Sequence, residues 1–120
     1  MADNVIKTKS FNFALRIIKL FQFLNQEKRE FILSKQLLRS GTSIGALVRE
    51  SEQAESKKDF IHKLAIAQKE ANETDYWLEL LFQSDYLNEI QFKSIKSDIV
   101  EINKILASII ITTKQKLTTI

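Results

Sequence analysis

The chain has 120 residues, which fits one domain over residues 1–120 and leaves little room for two. It has no cysteine, which excludes disulfides and thiolate metal sites. With no proline and only two glycines it lacks the turn residues of most sheet proteins, and its formal charge of +3 is mild.

Apolar spacing predicts four helices in chain order. The first runs from about Ser10, a suitable N-cap, to Gln26. Ala14, Ile17, Ile18, Phe21 and Leu24 recur at steps of three and four, and Phe11, Phe13, Leu15 and Leu20 widen the apolar face. The charged run from Glu27 to Glu30 marks a short connection. The second helix runs from about Glu30 to Gln53, with a stripe of Leu33, Leu37, Ser40 or Gly41, Ile44 and Val48.

The third runs from about Lys57 to Ser84 with Ser56 as its cap, and its stripe is Leu64, Ala67, Ala71, Leu78 and Leu81. The fourth runs from about Asn88 to Lys114. There Phe92, Ile95, Ile99, Ile102, Leu106 and Ile109 form an unbroken seam of the kind a packed bundle uses. Short connections make sequential helices antiparallel neighbours. The expected fold is therefore all-α, an antiparallel up-down-up-down four-helix bundle. The N-terminus lacks the apolar run of a secretory signal, and Ile105 to Ile111 is too short to span a bilayer. A soluble, cytoplasmic protein is expected.

Gly41 and Gly45 sit inside the second helix, where each costs about 1 kcal/mol relative to alanine. They either hold backbone open to a ligand or permit close approach of another helix. A hairpin turning near Glu55 sets them level with Ala65 and Ala67, which favours close approach to the third helix. The same symmetry sets Arg39 beside Glu70 and Glu73, an arrangement that suits a guanidinium–carboxylate pair between helices. Solvated, unpaired charges are the competing reading.

The acidic pairs Glu52-x-x-Glu55 and Glu70-x-x-Glu73 are similar to those of helical, Mg²⁺-dependent nucleotide pyrophosphohydrolases. Glu70 lies 15 positions beyond Glu55, about 22 Å along a helix, so one cluster cannot gather all four carboxylates. His62 is the sole histidine, too few for an ordinary zinc site or a di-iron bundle. No catalytic residue, metal site or cofactor is expected.

Charge is uneven along the chain. Residues 1–29 carry +4 and residues 89–120 carry +2, whereas the two middle segments are acidic. The first and last helices of such a bundle are neighbours. Lys9, Arg16, Lys19, Lys93, Lys96 and Lys104, with Lys7, are thus expected on one side, as a face that attracts RNA or DNA phosphates by counterion release. Its lysine-rich make-up fits backbone contact rather than base reading. An ordinary solvated surface is the competing reading. The apolar faces of the same two helices are wider than one core needs, which favours homo-oligomerisation.

Two segments, QLLRSGTSIGALVRE and KDFIHKLAIAQKEANETDYWLELL, followed by Tyr86-Leu87, carry a resemblance. They resemble the four-helix-bundle family of 23S rRNA intervening-sequence proteins, which includes the accessory variability determinant proteins of diversity-generating retroelements. The matching positions are Gln36, Leu37, Arg39, Ser40, Ser43, Ile44 and Glu50, then Phe60, Leu64, Ala67, Glu70, Glu73 and Leu78. Gly41, Leu47 and Ser51 depart from the alanine, asparagine and glycine common there. The resemblance implies an intracellular bacterial protein and a ring-like homo-oligomer, a pentamer, with a positive surface. Accessory members of the family look like nucleic-acid and reverse-transcriptase binders. The leading expectation is a non-enzymatic homo-oligomer that binds nucleic acid. The alternatives are a protein-interaction scaffold, a reverse-transcriptase accessory subunit and a metal-dependent nucleotide hydrolase.

Overall fold

The computed structural model describes residues 2–118, with side chains from Val5 onward. Met1, Thr119 and Ile120, part of the domain expected over 1–120, lie outside the described residues. Four helices run antiparallel: α1 (Ala2–Gln26), α2 (Leu33–Ser51), α3 (Lys57–Gln83) and α4 (Glu89–Thr118). Each packs on two others, in the order α1, α2, α3, α4 and back to α1. The result is a four-helix bundle of 54 × 22 × 20 Å. None of its helices is long and apolar enough to cross a membrane.

The α4 seam is buried from Ile95 through Ile99, Ile102 and Leu106 to Ile109, as its spacing predicts. Facing it are Leu64, Ala67, Ala71, Leu78 and Leu81 of α3, and Leu37, Ile44 and Val48 of α2. Phe92 stacks on Phe82 with ring centroids 4.3 Å apart where α3 hands over to α4. On α1 the inward residues are Ile6, Phe13, Ile17 and Leu24, and Ile18 is exposed instead.

Helix α1 also starts eight residues before the expected boundary, so Ser10 is not a cap. The inward stripe continues upstream through Ile6, and Ser10 falls within it. Ser10 is buried, with its hydroxyl donating to the Lys7 carbonyl at 3.3 Å. Helix α2 starts later than expected because Glu30 caps it from outside. Its carboxylate accepts the backbone N–H groups of Ile32, Leu33 and Ser34 at 3.2, 3.0 and 2.7 Å. Arg29, at φ 54°, turns the chain so that Glu30 folds back and is buried. Ser56 caps α3 as expected, accepting the Asp59 N–H at 3.0 Å. At the start of α4 the Gln91 N–H donates to Asn88 Oδ1 and the Asn88 N–H donates to Gln91 Oε1, a reciprocal capping box.

The glycines correct one expectation. A Cβ on Gly41 would lie 2.8 and 2.9 Å from the Ile17 side chain, and one on Gly45 would lie 3.3 Å from the Ser10 carbonyl. Both glycines admit α1, not α3. The hairpin symmetry gave the right level but could not give direction around the helix. Arg39 and Ser43 reach α3, through Glu73 and Glu70. Gly41 stands two residues from each, about 200° around the helix, and so faces away from α3.

Candidate nucleic-acid interface

Helices α1 and α4 form the seam where the basic ends of the chain meet. Antiparallel packing sets Val5 level with Ile105 and Ile109, in a groove that Lys104 also lines. Next along the seam Lys9 pairs with Glu101 at 3.1 Å. The Arg16 guanidinium then donates to Asp98 Oδ2 at 2.5 Å and to Ser94 Oγ at 2.8 Å. Beyond this lies a cleft of about 560 Å³ between Arg16, Lys19, Leu20 and Phe23 of α1 and Ile90, Gln91, Ser94 and Ile95 of α4.

The seam therefore gathers Lys9, Arg16, Lys19 and Lys104. Lys19 and Lys104 have no ion-pair partner among the described residues. Lys93 shares a face of α4 with Val100 and Lys104, by spacings of seven and eleven, but pairs with Glu89 one turn away at 2.7 Å. That contact, on an exposed residue, holds the Glu89 carboxyl below its ordinary value.

Two expected members belong elsewhere. Lys96 turns to α3, where it meets Asp75 at 2.6 Å and Glu79 at 3.6 Å. The hydrogen bond to Asp75 outweighs partial desolvation and raises the lysine pKa. Lys7 turns to α2 and pairs with Glu52 at 3.2 Å. A single basic face is thus corrected to a seam of four cations, Lys9, Arg16, Lys19 and Lys104, interleaved with Asp98 and Glu101, with Lys93 beside it on α4 and paired within its own helix. The missed residues are those two carboxylates and the cleft residues Phe23, Gln91 and Ser94. Pairing α1 against α4 in antiparallel register would have indicated them.

Between α2 and α3 the expected ion pair forms. Arg39 reaches Glu70 at 3.4 Å and also binds Glu73. Ser43 donates to Glu70 at 3.0 Å, the Trp77 indole N–H donates to Glu73 at 3.2 Å, and the buried Thr74 hydroxyl donates to Ser40 Oγ at 2.9 Å. Every buried side-chain nitrogen or oxygen among the described residues has a partner. No three acidic or histidine side chains among those residues are grouped closely enough to hold a metal ion.

The profile of a family described as 23S rRNA-intervening sequence protein matches residues 2–108. The chain belongs to this family. It is also similar to a solved structure from Bacteroides thetaiotaomicron VPI-5482, described as a protein of unknown function from the S23 ribosomal protein family. That similarity has 61% sequence identity and a TM-score of 0.91, covering 92% of this chain and 98% of the other. None of the curated proteins compared matches the chain. Among the residues that carry the family resemblance, Arg39, Ser40, Ser43, Glu70 and Glu73 fasten α2 to α3.

Proposed function

We propose that this family member is a non-enzymatic, self-associating bundle that binds the nucleic-acid backbone through the α1–α4 seam. The observation that carries the reading is the placement of Lys9, Arg16, Lys19 and Lys104 along that one seam. Lys19 and Lys104 are open to phosphate. Lys9 and Arg16 exchange exposed carboxylates for phosphates, and such surface pairs contribute only about 0–1 kcal/mol each. Four phosphate contacts give a log–log salt slope of about −3 to −4.

Self-association rests on Phe11, Leu15 and Ile18, a stripe on α1 at spacings of four and three, each 38–48% exposed. They line an apolar groove of about 290 Å³ against Thr42, Gly45 and Ala46 of α2. This groove also favours a second reading, a scaffold for a protein partner, with the reverse-transcriptase accessory role of the wider family as one form. Retention of purified protein on immobilised RNA and DNA at low and moderate salt tests the first reading. Salt-sensitive retention that falls when Lys19 and Lys104 are changed to glutamate is expected. No retention at micromolar protein would leave the scaffold reading in its place.

A further inference from the structure

The cleft at the Phe23 end of the α1–α4 seam differs in its chemistry from the two grooves that contain acidic residues. The groove at the opposite end of the bundle contains Glu52 beside Lys57, and the mid-seam groove contains Asp98 and Glu101 beside Lys9. The cleft is lined by two cations, Arg16 and Lys19, and by no carboxylate, whereas the grooves that hold Arg49 and Lys104 have one cation each. Asp98, the partner of Arg16, lies just outside the lining. Its apolar walls include the half-buried aromatic ring of Phe23 and the Ile90 side chain, which is 82% exposed. Its volume of about 560 Å³ falls within the range of small-molecule sites.

Two neutral polar groups complete it. Gln91 has its Oε1 engaged by the Asn88 N–H, which fixes the amide and leaves the Nε2 hydrogens as donors. Ser94 Oγ accepts from Arg16 and retains its own hydrogen to donate. Cations for phosphate, an aromatic surface for stacking and fixed donors for a base edge are what a single unpaired nucleotide requires.

We propose that this cleft holds one unpaired nucleotide of a single-stranded segment, with its phosphate at Arg16 and Lys19, its base against Phe23, and Gln91 as donor to the base edge. The proposal rests on the nucleic-acid reading above and deepens it. Backbone contact along the seam does not distinguish strands from duplexes, whereas a base-holding cleft admits only a base that is not paired.

The test is fluorescence anisotropy with a labelled RNA strand of about 12 nucleotides, and the same strand annealed to its complement, at about 50 mM salt. The single strand is expected to bind at least about 10-fold tighter than the duplex. Phe23→Leu is expected to weaken single-strand binding by about 5-fold or more and to leave duplex binding unchanged, because stacking is lost and charge is not. Gln91→Glu keeps the capping box and so keeps the helix start, but places a carboxylate in the cleft. It is expected to abolish the single-strand preference while circular dichroism and thermal melting stay as in the wild type. Equal binding of strand and duplex, untouched by either variant, would overturn the cleft and leave the seam reading standing. Binding of neither overturns both.

Discussion

Gly41 shows how much one missing methyl group decides. Introducing alanine improves helix propensity by about 1 kcal/mol. The added Cβ would, however, sit 2.8 Å from Ile17 Cγ1 and 2.9 Å from its Cγ2, atoms close to the α1 backbone with little freedom to move. Overpacking of this kind costs typically about 1–3 kcal/mol. Gly41→Ala is therefore expected to destabilise the bundle by about 1 kcal/mol net in urea denaturation. Gly45→Ala meets only the Ser10 carbonyl at 3.3 Å and is expected to cost less. Ile17→Ala alone opens a cavity and costs about 2–5 kcal/mol. Combined with Gly41→Ala it is expected to cost clearly less than the two separate losses added together, because the new methyl occupies part of the vacated space. Strict additivity would show that Ile17 is not what the glycine accommodates.

The helix ends separate what local sequence reveals from what it hides. Ser56 was readable as a cap because it caps through a standard local spacing. Glu30 was not, because a carboxylate that folds back to take three N–H groups depends on the positive φ of Arg29 and on burial under the bundle. Glu30→Ala is expected to cost about 2 kcal/mol in chemical denaturation, since three donors at a partly buried helix start lose their partner, the Ser34 N–H among them fully buried. Ser56→Ala is expected to cost about 1 kcal/mol. An equal cost at both sites would mean that water replaces the Glu30 carboxylate.

The α3–α4 contact has its own signature in pH. The Lys96 pKa is raised in the folded protein above the ordinary lysine value of 10.5, chiefly by the hydrogen bond to Asp75. A raised lysine pKa gives a contribution that is complete below the unfolded value and is lost as pH climbs through the folded one. Wild type is thus expected to lose its margin over Lys96→Met only above about pH 10.5, and that margin is about 1 kcal/mol or less for so accessible a pair. A margin that changes between neutral pH and pH 9 would assign the effect to another group.

At the scale of the whole molecule, the bundle was legible because four apolar periods and short connections leave few other packings. Levels along the helices were legible too, as the contacts of Arg39 with Glu70 and Glu73 show. Direction around a helix was not. Hairpin symmetry places the glycines against α3 whereas they face α1, and neighbouring of the terminal helices places Lys96 on the α1 side whereas it faces α3. Hairpin symmetry fixes one coordinate, whereas the second depends on how all four helices rotate to bury their stripes together. The outward side of α1 is where that rotation matters for assembly. Burying Phe13 and Ile17 inward leaves Phe11, Leu15 and Ile18 facing out, beside the shallow floor that Gly45 and Ala46 provide. The Arg49 guanidinium lies 5.2 Å from the Phe11 ring centroid at one end of this groove. Leu15 is 46% exposed, so Leu15→Glu removes little from the monomer core but places a charge in the centre of the stripe. Sedimentation velocity is expected to show an assembled wild type and a smaller Leu15→Glu species, with the helical content of the two unchanged. A wild type that sediments as a monomer would remove self-association from the proposed function. An assembled wild type whose size Leu15→Glu leaves intact would move the interface to another face. The exposed Val100 and Ile111 side chains of α4 would then be the next to carry a charge.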